Sequence, residues 1–231
     1  MIPATKTLNE IASKGYNIGS VFRDWVSLML FSLAKEEKMY MDIMGRYRNE
    51  GQPREADLFA RAFSEVMDEM RNENHDVLGG IYMEIVSNWS AKGMGQFFTP
   101  TPLCDMMADM TIGKPEDRPV TVADPACGSG RTFISAAKLV HPKSWFHGID
   151  ADNVCAQMCA LNFCFFNMNG YVIHGNTLSM KFYDGWITNH SAIGGAVRRL
   201  TDDEVVHYKN VYGGAIQSEE PKQLSLMDEL L

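Results

Sequence analysis

Three polar residues, Asp124, Asp150 and Asn176, recur at equal spacing, each closing a short apolar run: "VTVAD" (120–124), "WFHGID" (145–150) and "YVIHGN" (171–176). Beside the first lies a Gly128-Ser129-Gly130 turn. Glycines let backbone approach a ligand closely, and the helix that follows such a turn favours an anionic group at its N-terminus. Asp124 would hold a cationic amine. Asp150 stands where a carboxylate grips a ribose diol in nucleotide folds, and Asn176 would hydrogen-bond a purine edge. A ligand with an amine, a carboxylate, a ribose and an adenine uses all four groups, and S-adenosylmethionine is such a ligand. NAD suits the pattern less well, because its Gly-x-Gly-x-x-Gly fingerprint needs glycine where Phe133 stands. Plainer roles exist for each residue. Asp150 would also suit a helix cap, Asn176 a turn, and Phe97 and Phe98 a core at a domain junction.

Those residues need a scaffold that brings strand ends together. From residue 120 onward, short apolar strands alternate with helices at 130–140 and 153–168, the pattern of a parallel sheet with right-handed crossovers. Open sheets of this kind bind ligands at their carboxyl ends. The fold class expected is α/β, a Rossmann-like core with a truncated parallel sheet. An all-helical region precedes it, with a Thr7-to-Glu10 capping box, one helix over 21–44, and two more over 54–72 and 76–89. The organisation reads as a helical region (1–92), a ligand-binding core (93–195) and an extension (196–231). No convincing strand is read after the fourth, and Thr201 to Glu204 would open a short helix.

The chain has 231 residues, 45% hydrophobic and 22% charged, with a net charge of -8. An acidic chain binds nucleic acid poorly without a basic face or a partner, because phosphate contacts need Lys and Arg. Arg198 and Arg199, with Lys181 and Lys209, form the best basic patch, read as a solvated face. The first ten residues, "MIPATKTLNE", carry no basic-then-apolar signal pattern, and the two most apolar stretches are too short or too polar for a membrane span. A cytoplasmic location is expected. Five cysteines without a Cys-x-x-Cys pair argue against a disulfide framework or zinc site. Cys155, Cys159 and Cys164 are expected on a buried helix.

"GQFFTP" (95–100), "DPACGSG" (124–130), "GID" (148–150) and "HGNTL" (174–178) resemble, in order, the motifs of adenine-N6 DNA methyltransferases of the type I modification-subunit group. The resemblance implies a class I methyltransferase fold using S-adenosylmethionine on DNA. It implies that Gln96, Phe97, Phe98 and Thr99 close over the methionine end and adenosine. Asp124, Ala126 and Gly128 would hold the amino-acid moiety within a turn that includes Cys127 and Gly130. Asp150 would take the ribose and Asn176 the adenine. The family aligns a flipped adenine with Asn/Asp-Pro-Pro-aromatic at the end of the fourth strand, and no such tetrapeptide occurs here. The positional counterpart is "YDGWITNHSA" (183–192), with Asn189 as the catalytic amide. The whole chain resembles short methylase-like proteins of phages and mobile elements.

The end of the chain, "QLSLMDELL", resembles the peptide that docks on the bacterial sliding clamp, through Gln223, Leu224, Ser225, Leu226 and Met227. An amphipathic end packed on the body is the alternative. Two functions stay open. One is an adenine-N6 methyltransferase, with a partner subunit supplying DNA recognition. The other is a catalytically degenerate S-adenosylmethionine-binding regulator or decoy of a mobile element.

Overall fold

The computed structural model describes residues 1–72, 75–87, 97–113 and 117–217. Five helices come first: α1 (Pro3–Ser13), α2 (Ile18–Leu33), α3 (Glu37–Met44), α4 (Glu55–Asn72) and α5 (Val77–Ser87). Then follow α6 (Thr101–Ile112), β1 (Thr121–Asp124), α7 (Arg131–Ala137), β2 (Trp145–Asp150), α8 (Asn153–Phe165) and β3 (Asn169–Asn176). The described chain ends with β4 (Lys181–Asn189), β5 (Ala196–Arg199) and α9 (Asp202–Gln217). Gln96 and the tail residues Gln223, Leu224, Leu226 and Met227 lie outside the described residues.

The helical start and the strand–helix alternation agree with the sequence pattern, with local differences. Thr7 does not cap a helix. α1 starts at Pro3, where a missing N–H costs nothing, and Thr7 sits inside it, donating to Glu65 at 2.8 Å. The apolar stretch 21–44 is two helices, broken after Leu33, with Lys35 in a left-handed conformation. The box at Thr201 does form, with the Thr201 N–H donating to Glu204 and the Glu204 N–H to the Thr201 hydroxyl. It opens a helix of four turns rather than a short one.

The five strands lie in sequence order, β1-β2-β3-β4-β5. β1, β2 and β3 are parallel, whereas β3–β4 and β4–β5 are antiparallel. The expectation of a fourth parallel strand is therefore corrected, as is that of none beyond it. The reason is connection length. Only residues 177–180 separate β3 from β4, and a parallel crossover needs a dozen or more. β1 is left at the edge, with Thr121 and Ala123 exposed.

One face of the sheet and the helical region share a single core. Trp25 and Leu30 of α2 belong to it together with Phe133 of α7, Phe163 of α8 and Val172 of β3. α8 is buried at every position from Val154 to Cys164, which accounts for its mostly apolar sequence and its three thiols. No helix among the described residues is long and apolar enough to cross a membrane. α9 covers the other face, over Ile149, Ile173 and Ile187. There His147 lies among Tyr171, Tyr208 and Tyr212, with its Nδ1 3.3 Å from the Tyr208 hydroxyl.

Burial lowers the His147 pKa from 6.5 to about 4. The unfolded chain takes up this proton near pH 6.5, whereas the folded chain resists it until about pH 4. Stability therefore falls as pH drops through that window and levels off below it. Urea melts should show about 2 kcal/mol less stability at pH 5 than at pH 7, most of it absent in His147→Phe. Equal losses in the two proteins would trace the effect to other groups.

Candidate functional site

A cleft of about 400 Å³ opens at the carboxyl ends of the parallel strands. Phe97 and Phe98 form one wall, Ala126, Gly128 and Asp150 the floor, and Asn176 with the β3–β4 turn the opposite wall. Its size is that of a small-molecule pocket.

The floor exists because two residues adopt left-handed backbone. Gly128 has φ +55° and Gly130 φ +82°, a region that side chains with a Cβ rarely enter. Gly128 also lies against Phe98, since a Cβ there would sit 3.0 Å from two ring atoms. The turn is tied to β2 by Cys127 N–H donating to the Ile149 carbonyl at 3.0 Å. Asp150 adds a second tie. Its Oδ2 accepts Gly128 N–H at 2.8 Å and its Oδ1 accepts Asp152 N–H at 2.8 Å. Burial pushes the Asp150 carboxyl up from its ordinary value, and these two N–H bonds act against that shift.

The cleft gathers most of the residues singled out in the sequence, in unequal roles. Phe97, Phe98, Ala126, Gly128, Asp150 and Asn176 line it. Asp124 and Gly130 build the turn behind it. The Asp124 carboxylate accepts Ala126 N–H and the Thr132 hydroxyl, each at 3.0 Å. Thr99 joins through its carbonyl, which accepts from Arg131 at 3.1 Å. Asn176 also has the turn role, its Oδ1 accepting Ser179 N–H at 3.0 Å. Asp152, not Asp150, caps α8.

Two residues are placed elsewhere. Cys127 is buried, and its thiol, pushed well up by a hydrogen bond with Cys159 and by burial, packs into the core instead of facing the cleft. Asn189 is at the opposite end of the sheet. The β3–β4 register pairs Lys181 with Asn176 but Thr188 with Gly170, so Asn189 lies about 20 Å from the cleft at the rise of a strand. Asn189 is exposed there and pairs with Ala196. The Arg198–Arg199 cluster is neutralised internally, Arg198 by Glu204 at 2.6 Å and Arg199 by Asp184 at 2.9 Å.

The sequence reading missed the group that holds the turn from behind. Asp76 is buried, and its Oδ1 accepts Gly79 N–H and Asn162 Nδ2–H, each at 2.8 Å. Its Oδ2 accepts the Ser129 hydroxyl at 2.5 Å and Arg131 Nε–H at 3.1 Å. Asn162 also donates to the Ser129 carbonyl at 2.8 Å. Two signals were available: an Asp ahead of the apolar run "VLGGIYMEIV", as at a helix cap, and an Asn inside the otherwise apolar "CALNFCF".

The family described as N-6 DNA Methylase matches residues 73–193, just over half of the chain. The chain is 27% identical over 135 residues to the type I restriction enzyme MpnII methylase subunit of Mycoplasma pneumoniae. That alignment covers 54% of this chain and 25% of the relative, so the chain spans about a quarter of the relative's length. No solved structure matches.

Two substitutions test the geometry of the turn. Asp76→Ala leaves Arg131 and Asn162 without their buried acceptor, and a loss of about 3–5 kcal/mol is expected in denaturant melts. Gly128→Ala combines a left-handed φ with a clash against Phe98, and about 1–3 kcal/mol should be lost. Wild-type stability in either variant would contradict this description of the turn.

Proposed function

The chain belongs to the N-6 DNA methylase family, and from that premise we propose that it forms the S-adenosylmethionine-binding part of a DNA adenine-N6 methyltransferase. We propose further that methyl transfer needs groups supplied by a partner polypeptide. The observation that carries the reading is the cleft itself, where Phe97, Phe98, Gly128, Asp150 and Asn176 meet at the ends of three parallel strands.

The residues present fit that cofactor. Gly128, without a Cβ, lets the Phe98 ring pack directly on the turn. The Asp150 oxygens each accept one backbone N–H, and a carboxylate oxygen has a second lone pair for a ribose hydroxyl. Phe97 and Phe98 offer apolar faces to an adenine or a methionine chain, and Asn176 offers its amide group to a purine edge. When bound, S-adenosylmethionine supplies an electrophilic methyl group. The chain's own residues bind and orient it, and the aromatic wall shields it from water.

Alignment of the target base is a separate task. Asn189 stands about 20 Å away by strand rise, so this fold does not give it to the cleft. The paired Arg198 and Arg199 offer little free charge to phosphates. Both facts support a partner that contributes target-side groups and DNA contacts. The position of Asn189 equally favours the second reading, a cofactor-binding regulator without transfer activity of its own.

Calorimetry with S-adenosylmethionine should show saturable binding, weakened at least tenfold in Asp150→Ala, the scale of one lost charge-assisted hydrogen bond. Asn189→Ala should bind as wild type does. An absence of binding by wild type would end the cofactor reading. Labelled methyl transfer to unmethylated DNA, tried alone and with co-expressed neighbouring subunits, separates the enzyme from the regulator. Transfer by the chain alone would refute the need for a partner.

A further inference from the structure

Phe97 and Phe98 line the cleft from a segment, 97–100, that belongs to no helix or strand, so something other than a backbone ladder must hold it. Arg131, the first residue of α7, reaches that segment from behind the Gly turn. Its Nη1 donates to the Thr99 carbonyl at 3.1 Å, and its guanidinium lies 5.9 Å from the centre of the Phe98 ring. Its Nε donates to Asp76 at 3.1 Å, so the fork is fixed at its other end by a buried carboxylate. The Arg131 side chain is 14% exposed and that of Asp76 is 0% exposed. Phe98 is braced on its other side by Tyr82 of α5, with ring centres 5.0 Å apart.

We propose that Arg131 is a positioning residue for the cleft, locking the 97–100 segment against the Gly turn so that Phe98 stands as a fixed wall. A planar guanidinium holds two acceptors in different directions at once, while a lysine ammonium holds them only as a point charge. Arg131 therefore couples three stretches of chain. The helical region contributes Asp76, the aromatic segment contributes Phe98 and Thr99, and the turn carries Arg131 itself. The ligand sees only Phe98. Arg131 acts through it, and the expected effect on affinity rests on the S-adenosylmethionine reading, whereas the lock itself does not.

The first measurement uses the ligand-free protein. Chymotryptic cleavage after Phe98 should quicken at least tenfold in Arg131→Gln and by less in Arg131→Lys. Cleavage after Phe163, buried in the core, should stay at the wild-type rate, which separates local release from unfolding. Unchanged cleavage after Phe98, or equal acceleration at both sites, would overturn the proposal. The second measurement is a double-mutant cycle on S-adenosylmethionine affinity. Arg131→Gln should weaken binding about tenfold in the wild-type background, a change of about 1.4 kcal/mol, and hardly at all in Phe98→Ala. Additive losses would mean that Arg131 does not act through Phe98. If wild type binds no S-adenosylmethionine while cleavage after Phe98 alone quickens in Arg131→Gln, the lock stands and the cofactor reading falls.

Discussion

The cleft depends on one buried carboxylate. Asp76 comes from the start of α5, yet it receives donors from its own helix, from the Gly turn, from α7 and from α8. Burying a charge is costly unless it is paired and its lone pairs are filled. Four donors, one of them the Arg131 guanidinium, meet that condition here. The requirement works in both directions: the turn is held in its left-handed shape because it must present Ser129 and Arg131 to the carboxylate. The helical region is therefore structural support for the site, joined to the sheet through the same core as well as through this charge.

Much of the parallel part of the molecule was legible in the sequence. The apolar runs ending at Asp124, Asp150 and Asn176 became β1, β2 and β3, and Cys155, Cys159 and Cys164 lie on a buried helix. These features are local, since period, turn residues and composition carry them. Asp150 and Asn176 were legible together because equal spacing along the chain becomes adjacency at strand ends, Gly128 was legible from its turn, and Phe97 and Phe98 only from the family resemblance. Partners were less legible. The sequence singles out Asp150 as a candidate, but not that both its oxygens already hold backbone N–H groups. Cys127 lies in the right turn, yet its side chain points inward, a direction set by backbone dihedrals and not by residue type.

Asn189 shows where spacing alone fails. Reading Asn189 as the end of a parallel strand assumed a crossover, and a connection of four residues, 177–180, excludes one. Strand direction reverses, and every position along β4 is carried toward the opposite end of the sheet. Asp76 was missed for the converse reason. Its importance arises from residues far along the chain, Ser129 and Asn162, which no local pattern connects to it.

The reversal after β3 also divides the sheet by the order in which it can form. β3, β4 and β5 are joined by short turns, and contacts between near neighbours in sequence close with little loss of chain entropy. β1 and β2 join through crossovers, and the turn between β1 and α7 waits for Asp76 and Asn162, far away on either side. The meander is thus the quick half of the sheet and the ligand half the slow one. The cleft needs both halves of the chain, and its presence reports that the helical start and the strands have found each other.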